Sequence, residues 1–296
     1  MTPPVSIILN PSSGSRYKPE AIKALLRENG LDAAIVDVAK GDDITALAMR
    51  LLRDGSHTLV AGGGDGTVSS VAAAVVQAQA LLGILPLGTL NHFAKDLKLP
   101  LDLAGAVRTL KTGMVRSVDI GEVNGRAFIN NSGLGLYAAL VTQREKRRRL
   151  GQPKWIAFFW AAVATMRRFP FLYVRLAAGG QQLAIRTPFL FVGNNAYRME
   201  GINLGSRDSL TEGKLCVGVT HHRIGRWGLV RLAFRALFGS IRSERDLVVL
   251  LTTEVRIESR RKRLPVSLDG EVVLLGSPLH YRTRPGALHV IVPDVE

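Results

Sequence analysis

Gly62-Gly63-Gly64-Asp65-Gly66-Thr67 follows the apolar run His57-Thr58-Leu59-Val60-Ala61 and precedes Val68-Ser69-Ser70-Val71-Ala72-Ala73-Ala74-Val75-Val76. That order reads as buried strand, glycine turn and helix. Three successive glycines permit left-handed backbone angles and a close approach of backbone to a ligand. The helix behind them offers free N–H groups and the positive end of its dipole, which suits phosphate. A carboxylate beside phosphate repels it unless a cation lies between, so Asp65 is out of place without one. A helix cap is its structural explanation, but Thr67 offers a cap of its own. The stretch predicts a nucleotide-phosphate site with Mg²⁺ on Asp65.

On the N-terminal side, Val5 to Leu9 reads as a buried strand ending in the polar loop Asn10-Pro11-Ser12-Ser13-Gly14. Helical spacing follows over Lys18 to Asn29, a strand over Ala33 to Val38, and a helix over Ile44 to Leu52. On the C-terminal side, Leu82 to Leu85 is a fourth strand, ending in Pro86-Leu87-Gly88-Thr89-Leu90-Asn91-His92-Phe93, and Asp102 to Lys111 is a helix. Alternating strands and helices predict a parallel sheet with helices on both faces, its ligands off the strand ends. Three loops that each follow a strand should then gather on one edge.

The second half is different. Val118 to Val123 and Arg126 to Asn131 flank Asn124-Gly125, a hairpin signal, and Phe171 to Ala177 and Leu183 to Val192 flank Gly179-Gly180 likewise. Lys214 to Thr220, Asp246 to Glu258, Leu264 to Leu268, Glu271 to Leu275 and Leu288 to Val292 read as further strands. An antiparallel sandwich or open barrel is expected. The division is placed at 1–117 and 118–284, with 285–296 as a C-terminal strand able to return to the first domain. Gly133-Leu134-Gly135-Leu136-Tyr137-Ala138 matches a dinucleotide fingerprint, but it lies in the β-rich half without the acidic residue for a ribose, so a tight turn into a helix is the better reading.

The 296 residues carry 39 basic and 24 acidic side chains, a net charge of +15, and are 47% apolar. Such an excess attracts anionic partners. Cys216 is the single cysteine, which excludes an internal disulfide and any cysteine metal cluster and suits a reducing cytoplasm. The opening Met1-Thr2-Pro3-Pro4 lacks the features of a secretory signal, and the apolar run from Trp155 to Met166 is too short to span a bilayer. Arg144 to Arg149 and the Arg226 to Arg242 stretch place arginines beside tryptophans, as at lipid headgroups. The expected location is cytoplasmic, peripheral at the inner face of the membrane. Aromatic content of 6% and the lack of an RNA-binding aromatic signature speak against nucleic acid.

Taken together, Asn10 to Gly14, Gly63 to Thr67, Pro86 to Ala94, Ser267-Leu268-Asp269-Gly270-Glu271, and Gly193-Asn194-Asn195 through Gly213-Lys214-Leu215 resemble the diacylglycerol kinase catalytic-domain family, which includes sphingosine kinases and bacterial lipid kinases. The resemblance implies an α/β domain like that of NAD kinases, a β-rich second domain and a cleft between them. It implies ATP as phosphate donor, with Mg²⁺, on Asn10, Pro11, Ser12, Ser13, Gly14, Gly63, Gly64, Asp65, Gly66, Thr67 and Thr89. It implies catalytic roles for Asp65 and for Glu271, the proton acceptor, and a metal-holding role for Asp65 and Asp269. His92 stands where the family usually has aspartate, and Glu212-Gly213-Lys214-Leu215-Cys216 replaces an acidic loop that holds an accessory Mg²⁺ in some members.

The expected partners are ATP, a lipid alcohol such as diacylglycerol, and an anionic membrane surface; a homodimer stays open. An NAD kinase-like phosphotransferase and a non-catalytic membrane-binding relative are the competing readings. The chemistry stands without the family: phosphoryl transfer needs held phosphates, a cation for developing charge, and a group to take the alcohol proton. For Glu271 alone a plain hairpin turn would be the first choice.

Overall fold

A computed structural model describes residues 5–11, 18–136, 138–139, 142, 172–178, 181–198, 206–220 and 247–294. The chain divides into two compact units: Met1–Ile120 with Ser209–Thr211 and Arg284–Glu296, and Gly121–Asp208 with Glu212–Thr283.

The first unit begins with β1 (Val5–Leu9), α1 (Pro19–Glu28), β2 (Ala33–Asp37), α2 (Ile44–Arg53), β3 (Thr58–Gly63), α3 (Asp65–Ala78), β4 (Leu81–Pro86), α4 (His92–Asp96), α5 (Leu103–Thr112) and β5 (Met114–Val123). Its helices start where the local chemistry allows. Pro19 opens α1 with no N–H to waste; the Asp43 carboxylate caps α2 from the Ala46 N–H; Asp102 caps α5 from the Gly105 N–H. β2, β1, β3 and β4 run parallel in that order. Along β1, Ile7 and Leu9 join a core with Ile22 and Leu26 of α1 and Leu103 and Val107 of α5. Ile8, equally buried, alternates to the other face. Helices therefore cover both faces of a parallel sheet.

The second unit continues with β6 (Arg126–Phe128), β7 (Asn131–Gly135), β8 (Leu172–Ala178), β9 (Gln181–Thr187), β10 (Phe189–Asn194), β11 (Leu215–Thr220), β12 (Leu247–Thr252), β13 (Glu254–Ser259), β14 (Arg263–Leu268), β15 (Glu271–Gly276) and β16 (Leu279–Val292). One antiparallel sheet has the order β12-β11-β10-β7-β14-β15. The other is built on β16, β13, β8 and β9, with β16 supplying residues 279–282. Between them lies one core, including Leu134, Leu190, Val217 and Val266 from the first and Val174, Ile257, Leu279 and Tyr281 from the second. This is the expected antiparallel, sandwich-like layer pair. Toward its end β16 leaves this unit, and His289 and Val290 pair in parallel with β4 in the first.

Several element boundaries differ from the sequence reading. The Leu183 to Val192 run is two strands, broken at Pro188, which has no N–H for a ladder. The Asp246 to Glu258 run is likewise two strands that part at Thr253, and the Arg126 to Asn131 run splits between β6 and β7. Asn124 and Gly125 do form the two-residue hairpin turn, at φ of 46° and 80°. Gly135, at φ 76°, ends β7 at the expected turn into a helix. The basic stretches 144–149 and 226–242 lie outside the described residues.

Candidate active-site residues

The glycine stretch is not the loop its composition suggests. Gly62 and Gly63 belong to β3, α3 starts at Asp65, and Gly64 alone is the joint, with φ −89° and ψ −176°. None of the four glycines from Gly62 to Gly66 takes a positive φ. Their need is for space. A Cβ on Gly63 would come within 2.5 Å of Thr67 Oγ1, and one on Gly88 would strike the Gly64 backbone. Thr67 is no helix cap either. It sits in the first turn of α3, buried, and its Oγ1 accepts from Asn10 Nδ2 at 3.0 Å.

The three loops gather as expected, through short backbone links. The Asn10 N–H donates to Gly62 O at 2.8 Å and the Leu87 N–H to Gly63 O at 3.0 Å. Asn91, at φ 50°, organises the third loop. Its Oδ1 accepts from the Gly88 N–H at 3.0 Å, and its Nδ2 donates to the carbonyls of Pro86 (3.1 Å) and Gly88 (2.9 Å). The loop closes on the helix start, where Asp65 Oδ1 accepts from the Phe93 N–H at 3.4 Å. Thr89 and His92 are exposed beside it. The first bond of the α3 ladder runs from the Val68 N–H to Gly64 O, so the N–H groups of Asp65, Gly66 and Thr67 precede that ladder. Beside them a Cβ on Gly66 would meet nothing within 4 Å. The structure thus brings together Asn10, Gly63, Gly64, Asp65, Gly66 and Thr67. Pro11 follows Asn10 on the surface; Ser12, Ser13 and Gly14 lie outside the described residues.

Asp269 and Glu271 belong to the second unit. Leu268 pairs with Glu271 across the β14–β15 turn, with Asp269 at φ 46° and Gly270 at φ 90°. Glu271 opens β15, exposed. The Asp269 carboxylate accepts three backbone N–H groups, from Ile129 (2.8 Å), Asn130 (2.8 Å) and Asn131 (2.9 Å). Its own N–H donates to Asn131 O at 2.8 Å. Both carboxylate oxygens are engaged in shaping the turn.

The same 129–131 segment is held from elsewhere by a residue the sequence did not signal. Arg207 is 6% exposed. Its Nη1 donates to Ile129 O at 2.7 Å and Asn194 O at 3.2 Å, and its Nη2 to Asn130 Oδ1 at 2.8 Å. The guanidinium lies 5.4 Å from the Tyr197 ring centroid. A lone arginine in a polar stretch carries no pattern that would reveal this. In the Glu212 to Cys216 run, the Glu212 N–H donates to Asn195 Oδ1 at 3.2 Å, and burial in β11 pushes the Cys216 thiol up.

Among the described residues no group of three or more His, Cys, Asp or Glu is placed to hold a metal ion. A single half-buried carboxylate at a helix start is compatible with Mg²⁺, an ion that usually keeps several waters and is often held by one carboxylate together with nucleotide phosphates.

Residues 4–123 match the diacylglycerol kinase catalytic domain, and residues 132–292 match the YegS C-terminal NAD kinase beta sandwich-like domain. A probable lipid kinase YegS-like of Pseudomonas aeruginosa is 29% identical, over 98% of this chain and 94% of its own. A diacylglycerol kinase of Staphylococcus aureus is 36% identical over 42% of this chain and 41% of its own. The crystal structure of a putative diacylglycerol kinase from Bacillus anthracis str. Sterne superimposes with a TM-score of 0.72 at 22% identity, covering 98% of this chain and 97% of that one, which shows a shared fold. With the glycine-aspartate helix start inside the first match and the Asp269-Gly270-Glu271 hairpin inside the second, the chain belongs to the diacylglycerol kinase catalytic-domain family, as a lipid kinase of the YegS-like kind.

Proposed function

We propose that the chain transfers the terminal phosphate of ATP to the free hydroxyl of a membrane lipid, with diacylglycerol the first candidate and phosphatidic acid its product. Gly66 carries the reading. Neither a positive φ nor packing demands glycine there, since a Cβ would meet nothing within 4 Å. An open backbone beside three N–H groups that precede the helix ladder is what an approaching phosphate requires. The alcohol oxygen attacks the terminal phosphorus, the bond to the ADP oxygen breaks, and Glu271 takes the alcohol proton. Asp65 would hold Mg²⁺ together with the nucleotide, and the ion would offset the charge that develops on the phosphoryl oxygens. Asp269 serves in this reading as a positioning residue, because its oxygens already hold the 129–131 backbone. No helix among the described residues is long and apolar enough to cross a membrane. Peripheral attachment at the inner face of the membrane, through Arg144 to Arg149 and Arg226 to Arg242, is part of the proposal.

Incubation with labelled ATP, Mg²⁺ and a total lipid extract should label one lipid class, and diacylglycerol should serve as purified acceptor. Asp65→Asn should lower turnover on the order of 10²-fold, the usual cost of losing one preorganised electrostatic group, with an unchanged melting temperature. No labelled lipid, or near-normal turnover of Asp65→Asn, would overturn the assignment.

A further inference from the structure

The outer face of the β13–β8–β9 ribbon carries a recess that the kinase reading leaves unused. Along β8, Leu172, Val174 and Leu176 enter the core, so Tyr173 and Arg175 point outward. Register sets Tyr173 opposite Arg186 and Arg175 opposite Ala184 on β9, and Arg175 opposite Glu258 on β13. The face therefore reads Arg186–Tyr173 in one row and Ala184–Arg175–Glu258 in the next. Ala184 contributes only a methyl, which leaves a floor between long side chains. Arg260 joins the wall of the resulting recess of about 540 Å³.

Three guanidinium groups and one carboxylate thus line a single depression. The carboxylate is already answered: Arg256 Nη2, which does not line the recess, lies 3.0 Å from Glu258 Oε1. Arg186 is oriented by the Tyr173 ring, with its guanidinium carbon 5.4 Å from the ring centroid. Strand pairing places Arg175 and Arg186 on one face, in neighbouring rows. The planar fork of arginine matches two phosphate oxygens at once. The volume lies within the usual range of small-ligand sites, about 300–1,000 Å³.

We propose that this recess binds a phosphate ester, with Arg175 and Arg186 on its oxygens, Arg260 at the rim, and the Tyr173 ring against the organic part. Both a soluble organic phosphate and a phospholipid headgroup offer that chemistry. The test uses the full chain and two probes: glycerol 3-phosphate by calorimetry, and sedimentation with phosphatidylglycerol–phosphatidylcholine vesicles against pure phosphatidylcholine. Glycerol 3-phosphate binding that the recess variants lose identifies a soluble source; anionic-vesicle binding that those variants lose, with residues 144–149 and 226–242 left intact, identifies a lipid source. In either arm Arg175→Ala with Arg186→Ala should weaken binding at least about tenfold, the worth of one or two charge-assisted hydrogen bonds. Stabilisation by ATP and Mg²⁺ should be unchanged, which reports that the variant is folded. Arg260→Ala, in an exposed residue just past β13, should weaken binding about threefold and serves if the double variant does not fold. The proposal fails if wild type binds neither probe, or if the variants bind as wild type does.

Discussion

Tyr281 shows how one side chain reports on the whole β-rich core. It is 1% exposed, its ring meets Phe128 edge-on at 6.2 Å, and its hydroxyl lies 2.9 Å from Ser132 Oγ. Burial pushes its hydroxyl far above the ordinary tyrosine range, with the Ser132 contact a smaller opposing effect. The folded chain therefore keeps this proton at a pH where the unfolded chain, ordinary at about 10, has lost it. The unfolded state then binds fewer protons, so stability is intact below about pH 10 and falls as pH rises above it. Urea melts across pH 8 to 11 should show that fall, and Tyr281→Phe should flatten it. At neutral pH the same change should cost about 1 kcal/mol, since Ser132 is left without its hydroxyl partner. Arg207 and Asp269 act at this scale too, by gripping opposite groups of one short backbone segment. Neither role was legible in the sequence, because each joins residues more than 70 positions apart. The places of Asn10, Asp65 and Thr67, at a strand end and a helix start, were legible because that spacing is local; the Asn10–Thr67 bond across 57 positions was not.

The joint between β3 and α3 tests what its glycines are for. Gly63→Ala should displace the first turn of α3, costing about 1–3 kcal/mol as overpacking does, and should weaken ATP binding with it. Gly66→Ala should leave the melting temperature within about 1 °C yet weaken ATP binding strongly, because its methyl enters open space that the proposed phosphate would occupy. Thermal melts with and without ATP and Mg²⁺ separate the two, since a ligand of the native state raises the midpoint by mass action. Equal ATP response in wild type and Gly66→Ala would remove phosphate from this helix start. Element types were readable here because a short continuous apolar run gives way, across the glycines, to apolar residues at helical spacing, Val68, Val71, Ala72, Val75 and Val76. Strand ends were not. Gly62 and Gly63 look like turn residues but are buried strand, and β12 and β13 read as one run because apolar residues continue through both. What fixes those ends is pairing: β12 bonds to β11 and β13 to β16 and β8, and no local pattern announces a change of partner.

At the scale of the molecule, the first unit is not a continuous piece of chain. Residues 284–296 belong to it, and Leu288, Val290 and Val292 are fully buried there. Each such side chain contributes roughly 1.5–3 kcal/mol on burial, so three together rival the stability of a small domain. A fragment of residues 1–120 should show little cooperative unfolding, and should regain it when the 284–296 peptide is fused or added in excess. Full cooperativity of the fragment alone would mean the returning strand is dispensable. The returning strand also sets an order of events on the ribosome. β4 leaves the exit tunnel early, but the residues that pair with it follow only after about 200 more, on the order of 10–40 s at usual synthesis rates. Throughout that interval the nascent sheet presents an unpaired apolar edge, while the second unit is still being made. Within this chain the first unit thus begins before the second and is completed after it, so its open edge has to stay apart from like edges on neighbouring chains of a polysome.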